Sequence, residues 1–242
     1  MHVCDVLGDG HCYYRCIWQV AADDRRAFDA LSLVDDDNVV ERSETDGAGD
    51  VRYFVVMSLR HDPDAINVLR RLLQLADEAT DQETMSALRE SYPILAGSCE
   101  LVPGGASLSN GIAFDAALAR VRDEIENTSM YASSFEHEIV NSALSKDADL
   151  RLIVLCKELG EGREALADKW LRQLHKQLPH VSESRVAVLV NCANVHYMYV
   201  RWRSASDAAT STTGRIVLTT QDLVDHVNAL MVVDTEEDDD SV

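Results

Sequence analysis

Gly8-Asp9-Gly10-His11-Cys12-Tyr13-Tyr14-Arg15-Cys16-Ile17-Trp18-Gln19-Val20 is the stretch on which the fold turns. Two glycines flanking an aspartate predict a tight turn. Beyond it Tyr13, Tyr14, Cys16, Ile17, Trp18 and Val20 leave almost no polar stripe, which predicts a helix buried nearly all round. Cys12 then stands at the start of a buried helix, one of the settings that activate a thiol as a nucleophile. The glycines let the backbone fold closely around a substrate carbonyl, and the amides of Asp9, Gly10 and Cys12 are candidates for an oxyanion hole. Inert packing of a buried cysteine is the competing reading of the same pattern.

Outward from this helix, residues 20–126 predict a mainly helical lobe. The clearest segment is 63–79, where Ile66, Leu69, Leu72, Leu73 and Ala76 recur at helical spacing. Residues 51–59, 82–92 and 112–126 add further helices, and Pro93 stops the second of these. The acidic, glycine-bearing stretch 31–49 is expected to be a surface loop, and 94–111 to be loop-rich. The second half changes character. Residues 135–144 predict a helix, 150–156 and 186–190 buried strands, and 164–178 a helix closed by Pro179. Residues 196–202 and 215–219 are expected to form a long hairpin across a Ser/Thr/Ala-rich loop, followed by a last helix over 221–230. The fold class is α/β in the α+β sense, a small central sheet flanked by helices with a helical lobe over 20–126.

The 242 residues, 46% of them hydrophobic, suffice for one domain, expected over 1–230. Residues 231–242, with Asp234, Glu236, Glu237, Asp238, Asp239 and Asp240, are expected to be a disordered acidic tail. Against 42 acidic residues stand 22 Lys and Arg, a formal charge of −20, which argues against nucleic acid as a partner. No apolar run is long enough to span a bilayer, and the opening residues lack the basic and apolar regions of a signal peptide, so none is expected. Six scattered cysteines suit reduced thiols in a cytosol-like compartment, the host's cytosol if the chain serves a pathogen. Cys12 and Cys16 have no matching pair at zinc-ligand spacing, so no structural metal is expected.

A thiol nucleophile needs a base, and imidazole is the usual one. Of eight histidines, His2, His61, His137, His175, His180 and His226 fall on termini, helix faces or loops, and His11 adjoins Cys12 and would project elsewhere. His196 begins a predicted strand after Asn191-Cys192-Ala193-Asn194, where a sheet would hold it firmly.

The local strings add a resemblance. Gly8-Asp9-Gly10-His11-Cys12-Tyr13-Tyr14-Arg15 resembles the nucleophile motif G-D-G-N-C-L-F-R of the ovarian tumour (OTU) deubiquitinases. Asn194-Val195-His196-Tyr197 is similar to that family's N-H-Y box, and Phe135 to Leu144 with the strand after it resembles its aromatic-led helix and strand. The resemblance implies a papain-like OTU fold, ubiquitin or polyubiquitin as partner, and cleavage of the isopeptide bond after ubiquitin's C-terminal glycine without a cofactor. It makes Cys12 the nucleophile, His196 the base, and Asp9 the motif's acidic residue, serving the oxyanion hole through its backbone. The chain departs from the pattern at His11, where Asn is common, and at Met198, where many members place Asp. Asn194 or Asn191 would then orient His196, with Asp5 and Asp9 as further candidates. Two alternatives follow: an inactive OTU-like module that only binds ubiquitin, and a papain-like hydrolase acting on a ubiquitin-like modifier.

Overall fold

The computed structural model describes residues 2–33, 44–79, 81–92, 111–127, 132–157, 163–192, 196–202 and 214–236. Strand β1 (His2–Cys4) leads through the Gly8 turn into α1 (Cys12–Asp23) and α2 (Arg25–Ala30). Helices α3 (Glu44–His61), α4 (Pro63–Glu78), α5 (Gln82–Ser91) and α6 (Gly111–Asn127) make up the helical part. Then come α7 (Ser134–Ala148), β2 (Leu150–Lys157), α8 (Arg163–Gln177), β3 (Arg185–Cys192), β4 (His196–Arg201), β5 (Val217–Thr219) and α9 (Thr220–Glu236).

The sheet is mixed, in the order β1-β4-β3-β2, with β5 also on β3. β2 and β3 run parallel, and β4 is antiparallel to both β3 and β1. Helices cover both faces, which explains the unbroken apolar runs of β2 and β3. Leu150, Leu152, Ala187 and Leu189 face the core shared with α1, α3 and α7. Ile153, Leu155, Val186, Val188 and Val190 face Trp170, Leu171, Leu174, Leu223 and Val227 of α8 and α9.

α1 is the central helix, packed between β4 and α3, with Cys12, Tyr13, Tyr14, Cys16, Ile17, Trp18, Val20 and Ala21 all buried. It ends where Asp24 turns extended and caps α2 by accepting from Ala27 N–H at 3.0 Å. α7 starts on a capping box in which Ser133 and Glu136 satisfy each other's end of the turn. Its buried Asn141 accepts from Leu152 N–H at 2.8 Å, so the outer edge of β2 is closed by a side chain rather than left open.

Three expectations need correction. Residues 44–49 belong to α3, although they carry Gly47 and Gly49; 34–43 lie outside the described residues. The reason is packing: Ala48, Val51, Val55, Val56 and Leu59 are buried, and Gly47 lies directly under the Trp18 indole. Among the described residues the long hairpin is reduced to one bridge, Trp202 to Arg215, and β5 pairs with Arg185 to Ala187 of β3. Asp23 redirects that segment, since its carboxylate accepts from both Ile216 N–H and Val217 N–H at 2.8 and 2.9 Å. Finally, α9 continues to Glu236, so the segment from 231 is helical before 237–242 pass outside the described residues; Leu230 and Met231 are strong helix formers. The loop expected over 94–111 lies, apart from Gly111, outside the described residues.

Helix propensity and packing make opposite forecasts at Gly47. Propensity alone would reward Gly47→Ala by about 0.5–1 kcal/mol. A Cβ there would meet the Trp18 ring at 2.1 Å, so the substitution should instead destabilise by about 1–3 kcal/mol, read as a lowered melting temperature. Gly49→Ala, with nothing within 4 Å of its Cβ, should raise the melting temperature.

Candidate active site

Cys12 is the first residue of α1, and His11 at the cap position makes no side-chain capping bond. The amides of Cys12 itself and of Tyr13, in the first helical turn, point at the thiol. Tyr197 N–H of β4 donates to Cys12 Sγ at 3.3 Å, which locks the helix start onto the strand that carries His196. Cys12 is only 1% exposed. Burial pushes its thiol up, and the charge of Asp9 adds to the rise; the amides of Tyr197, Tyr13 and Cys12 itself offset this only in part. At neutral pH the side chain of Cys12 is thus held as the thiol.

The loop before it is shaped by Gly10, whose φ of 84° lies in the left-handed region that favours glycine. Asp9 turns back across this bend. One carboxylate oxygen accepts from His11 N–H at 3.1 Å and the other from Arg15 at 2.6 Å. Partial burial works against the anion, but Arg15 and the His11 amide outweigh it and hold the carboxyl below its ordinary value. Arg15 is buried and donates also to Thr45 of α3 at 3.2 Å. Asp9 is therefore tied to Arg15, and the hydrogen-bond partner of His196 is a different aspartate.

His196 Nε2 lies 2.6 Å from Asp5 Oδ1, the oxygen that also accepts from Val6 N–H at 2.9 Å. An ionised carboxylate only accepts, so beside it the neutral form of the imidazole carries its proton on Nε2 and leaves the lone pair on Nδ1. Nδ1 faces the loop: a Cβ on Gly8 would stand 3.3 Å from it. The tautomer that Asp5 imposes thus leaves the basic nitrogen on the side of the nucleophile loop.

Of the candidates for orienting His196, Asn191 is buried on β3 opposite Tyr197, and Asn194 lies outside the described residues. Met198 is half-buried against the α8 and α9 side of the sheet. Asp5 was one aspartate among several in the sequence; what singles it out is the pairing of β1 with β4, which sets Val3 opposite Val200 and leaves Asp5 just past the strand end. No periodicity signals such a pairing.

Two other histidines adjoin the site. Burial and the nearby charge of Arg52 hold His11 below its ordinary value despite Asp9. On α7, His137 stacks edge-on against Tyr13 and is held down to about 4 by burial, with Arg151 adding to the effect. Both are neutral at pH 7. Among the described residues no group of three or more His, Cys, Asp or Glu side chains is arranged to hold a metal ion, and no helix is long and apolar enough to cross a membrane.

The burial of Cys12 predicts its pH behaviour. Alkylation at Cys12, followed by peptide mass spectrometry, should keep accelerating beyond the ordinary thiol value of about 8.5, because the thiolate forms late. A rate already flat at neutral pH would show a preformed thiolate and contradict this geometry. Comparison of the chain with protein-family models, curated proteins and solved structures found no match, so the reading of this site rests on its own geometry and motif strings.

Proposed function

We propose that the chain is a thiol hydrolase of the OTU type, a papain-like deubiquitinase that cleaves ubiquitin isopeptide bonds. The observation that carries this is the convergence of Cys12, at the start of a buried helix, with a strand residue that binds its sulfur and stands beside a carboxylate-anchored histidine. The motif strings around Cys12 and His196 support the family, and the mixed sheet covered by helices on both faces is compatible with it.

In this reading His196 Nδ1 takes the Cys12 proton as Sγ attacks the carbonyl carbon of ubiquitin's C-terminal glycine. The tetrahedral oxyanion is met by backbone amides of the Gly8 loop and the helix start, Gly10 and Cys12 among them. The His11 amide is already engaged by Asp9. Protonated His196 then gives its proton to the departing lysine amine, leaving a thioester on Cys12. Water, deprotonated by His196, hydrolyses the thioester and restores the thiol. Asp5 stabilises the imidazolium that forms in each half-reaction.

One observation favours a second reading, an OTU-like module that binds ubiquitin without cleaving it. Cys12 is closed off from solvent and its thiol is raised, so catalysis requires the loop ahead of it to shift when substrate arrives. Ubiquitin bearing a thiol-reactive C-terminal group separates the two. The hydrolase reading predicts a covalent adduct with the wild-type chain, none with Cys12→Ala, and a strongly slowed one with His196→Ala. Binding without any adduct supports the inactive module; an adduct confined to a ubiquitin-like modifier reassigns the substrate.

A further inference from the structure

The motif's arginine has no role in the chemistry above, yet it makes the most constrained contact near the nucleophile. Its side chain is 3% exposed and forks in two directions, one nitrogen reaching Asp9 Oδ2 at 2.6 Å and the other Thr45 Oγ1 at 3.2 Å. The second oxygen of Asp9 accepts from His11 N–H, so the carboxylate fixes the Gly10–His11 peptide plane, one residue ahead of Cys12. The left-handed Gly10 makes that reversal possible. One planar guanidinium thereby joins the backbone beside the nucleophile to the first turn of a helix 30 residues further along the chain. That turn is itself held. Two residues beyond Thr45, Gly47 is pressed against Trp18 of α1, leaving no slack between the two helices.

We propose that Arg15 and Asp9 are positioning residues that hold the oxyanion loop in its donor geometry, with Thr45 of α3 as their fixed anchor. Neither side chain touches the reacting atoms. Their effect falls on the tetrahedral step, where amides must aim at a developing charge, and spares substrate binding and the intrinsic reactivity of the thiol. The proposal rests on the thiol-hydrolase reading. It adds that α3, in the helical part of the chain, contributes to the rate at Cys12.

Two rates separate positioning from mere stability. One is turnover of ubiquitin carrying a C-terminal fluorogenic amide; the other is alkylation of Cys12 by iodoacetamide, which builds no oxyanion. Asp9→Asn and Arg15→Gln should each lower kcat by about tenfold or more, less than the roughly hundredfold or greater loss from deleting a donor outright, with KM nearly unchanged and the alkylation rate undiminished, and somewhat faster in Asp9→Asn, which loses a charge that lifts the thiol. Arg15→Lys keeps the charge without the fork and should recover part of the loss, and Thr45→Val should show a smaller fall in kcat. Should the buried Arg15→Gln fail to fold, Asp9→Asn and Thr45→Val, at more exposed positions, carry the test. Unchanged kcat in Asp9→Asn, or kcat and alkylation falling together, overturns the proposal and leaves Cys12 as the nucleophile. A wild-type chain that is alkylated but turns over no acyl substrate overturns the hydrolase reading and this role with it.

Discussion

The rest of the site depends on the seating of α1 on β4. The helix has almost no solvent face, so its position is set by contacts on every side: Tyr13 edge-on against Tyr197, Trp18 against Phe28 and Gly47, and Tyr14 beneath Arg52. A rod held in this way cannot slide by a fraction of a turn without breaking packing at several points at once. Its first residue is therefore placed as rigidly as its middle, and the Tyr197 amide finds Cys12 Sγ at the end of it. A cysteine on a loop of the same sequence would carry no such guarantee.

Around that fixed sulfur the charges are divided by direction. Asp5 stands outside, 76% exposed on its side chain, and addresses His196. Asp9 stands at the bend and addresses Arg15 and the His11 amide. These two aspartates are four residues apart and belong to one short segment, yet they bind different partners. The exposed Asp5 contributes little to stability, since a pair open to water is screened. Its value is orientational, because an imidazole bound at Nε2 presents Nδ1 and no other basic atom.

Much of this was legible in the sequence. The helix from Cys12, the strand beginning at His196, the capped helix before β2 and the apolar strands β2 and β3 follow from periodicity, turn residues and burial patterns that act over a few residues. What was not legible arises from contacts that have no local signature. Gly47 lies in a helix because an indole from α1 needs the space a side chain would fill, while its neighbourhood of Asp and Gly points to a loop. The strand near 217 turns to β3 because Asp23 takes its amides, and that partner lies 193 and 194 residues earlier in the chain. The partner of His196 was expected first at Asn194 or Asn191, with Asp5 and Asp9 as further candidates, and nothing local could choose Asp5 among them: it is separated from His196 by 191 positions and arrives through the pairing of β1 with β4.

The central claim, that Asp5 holds His196 as the tautomer which in the proposed reaction deprotonates Cys12, is tested most directly by the nitrogen chemical shifts of the His196 ring in labelled protein at a pH where the ring is neutral. The geometry predicts a protonated Nε2 and an unprotonated Nδ1, with that preference weakened in Asp5→Ala. A proton resident on Nδ1, or a tautomer indifferent to the loss of Asp5, would contradict it.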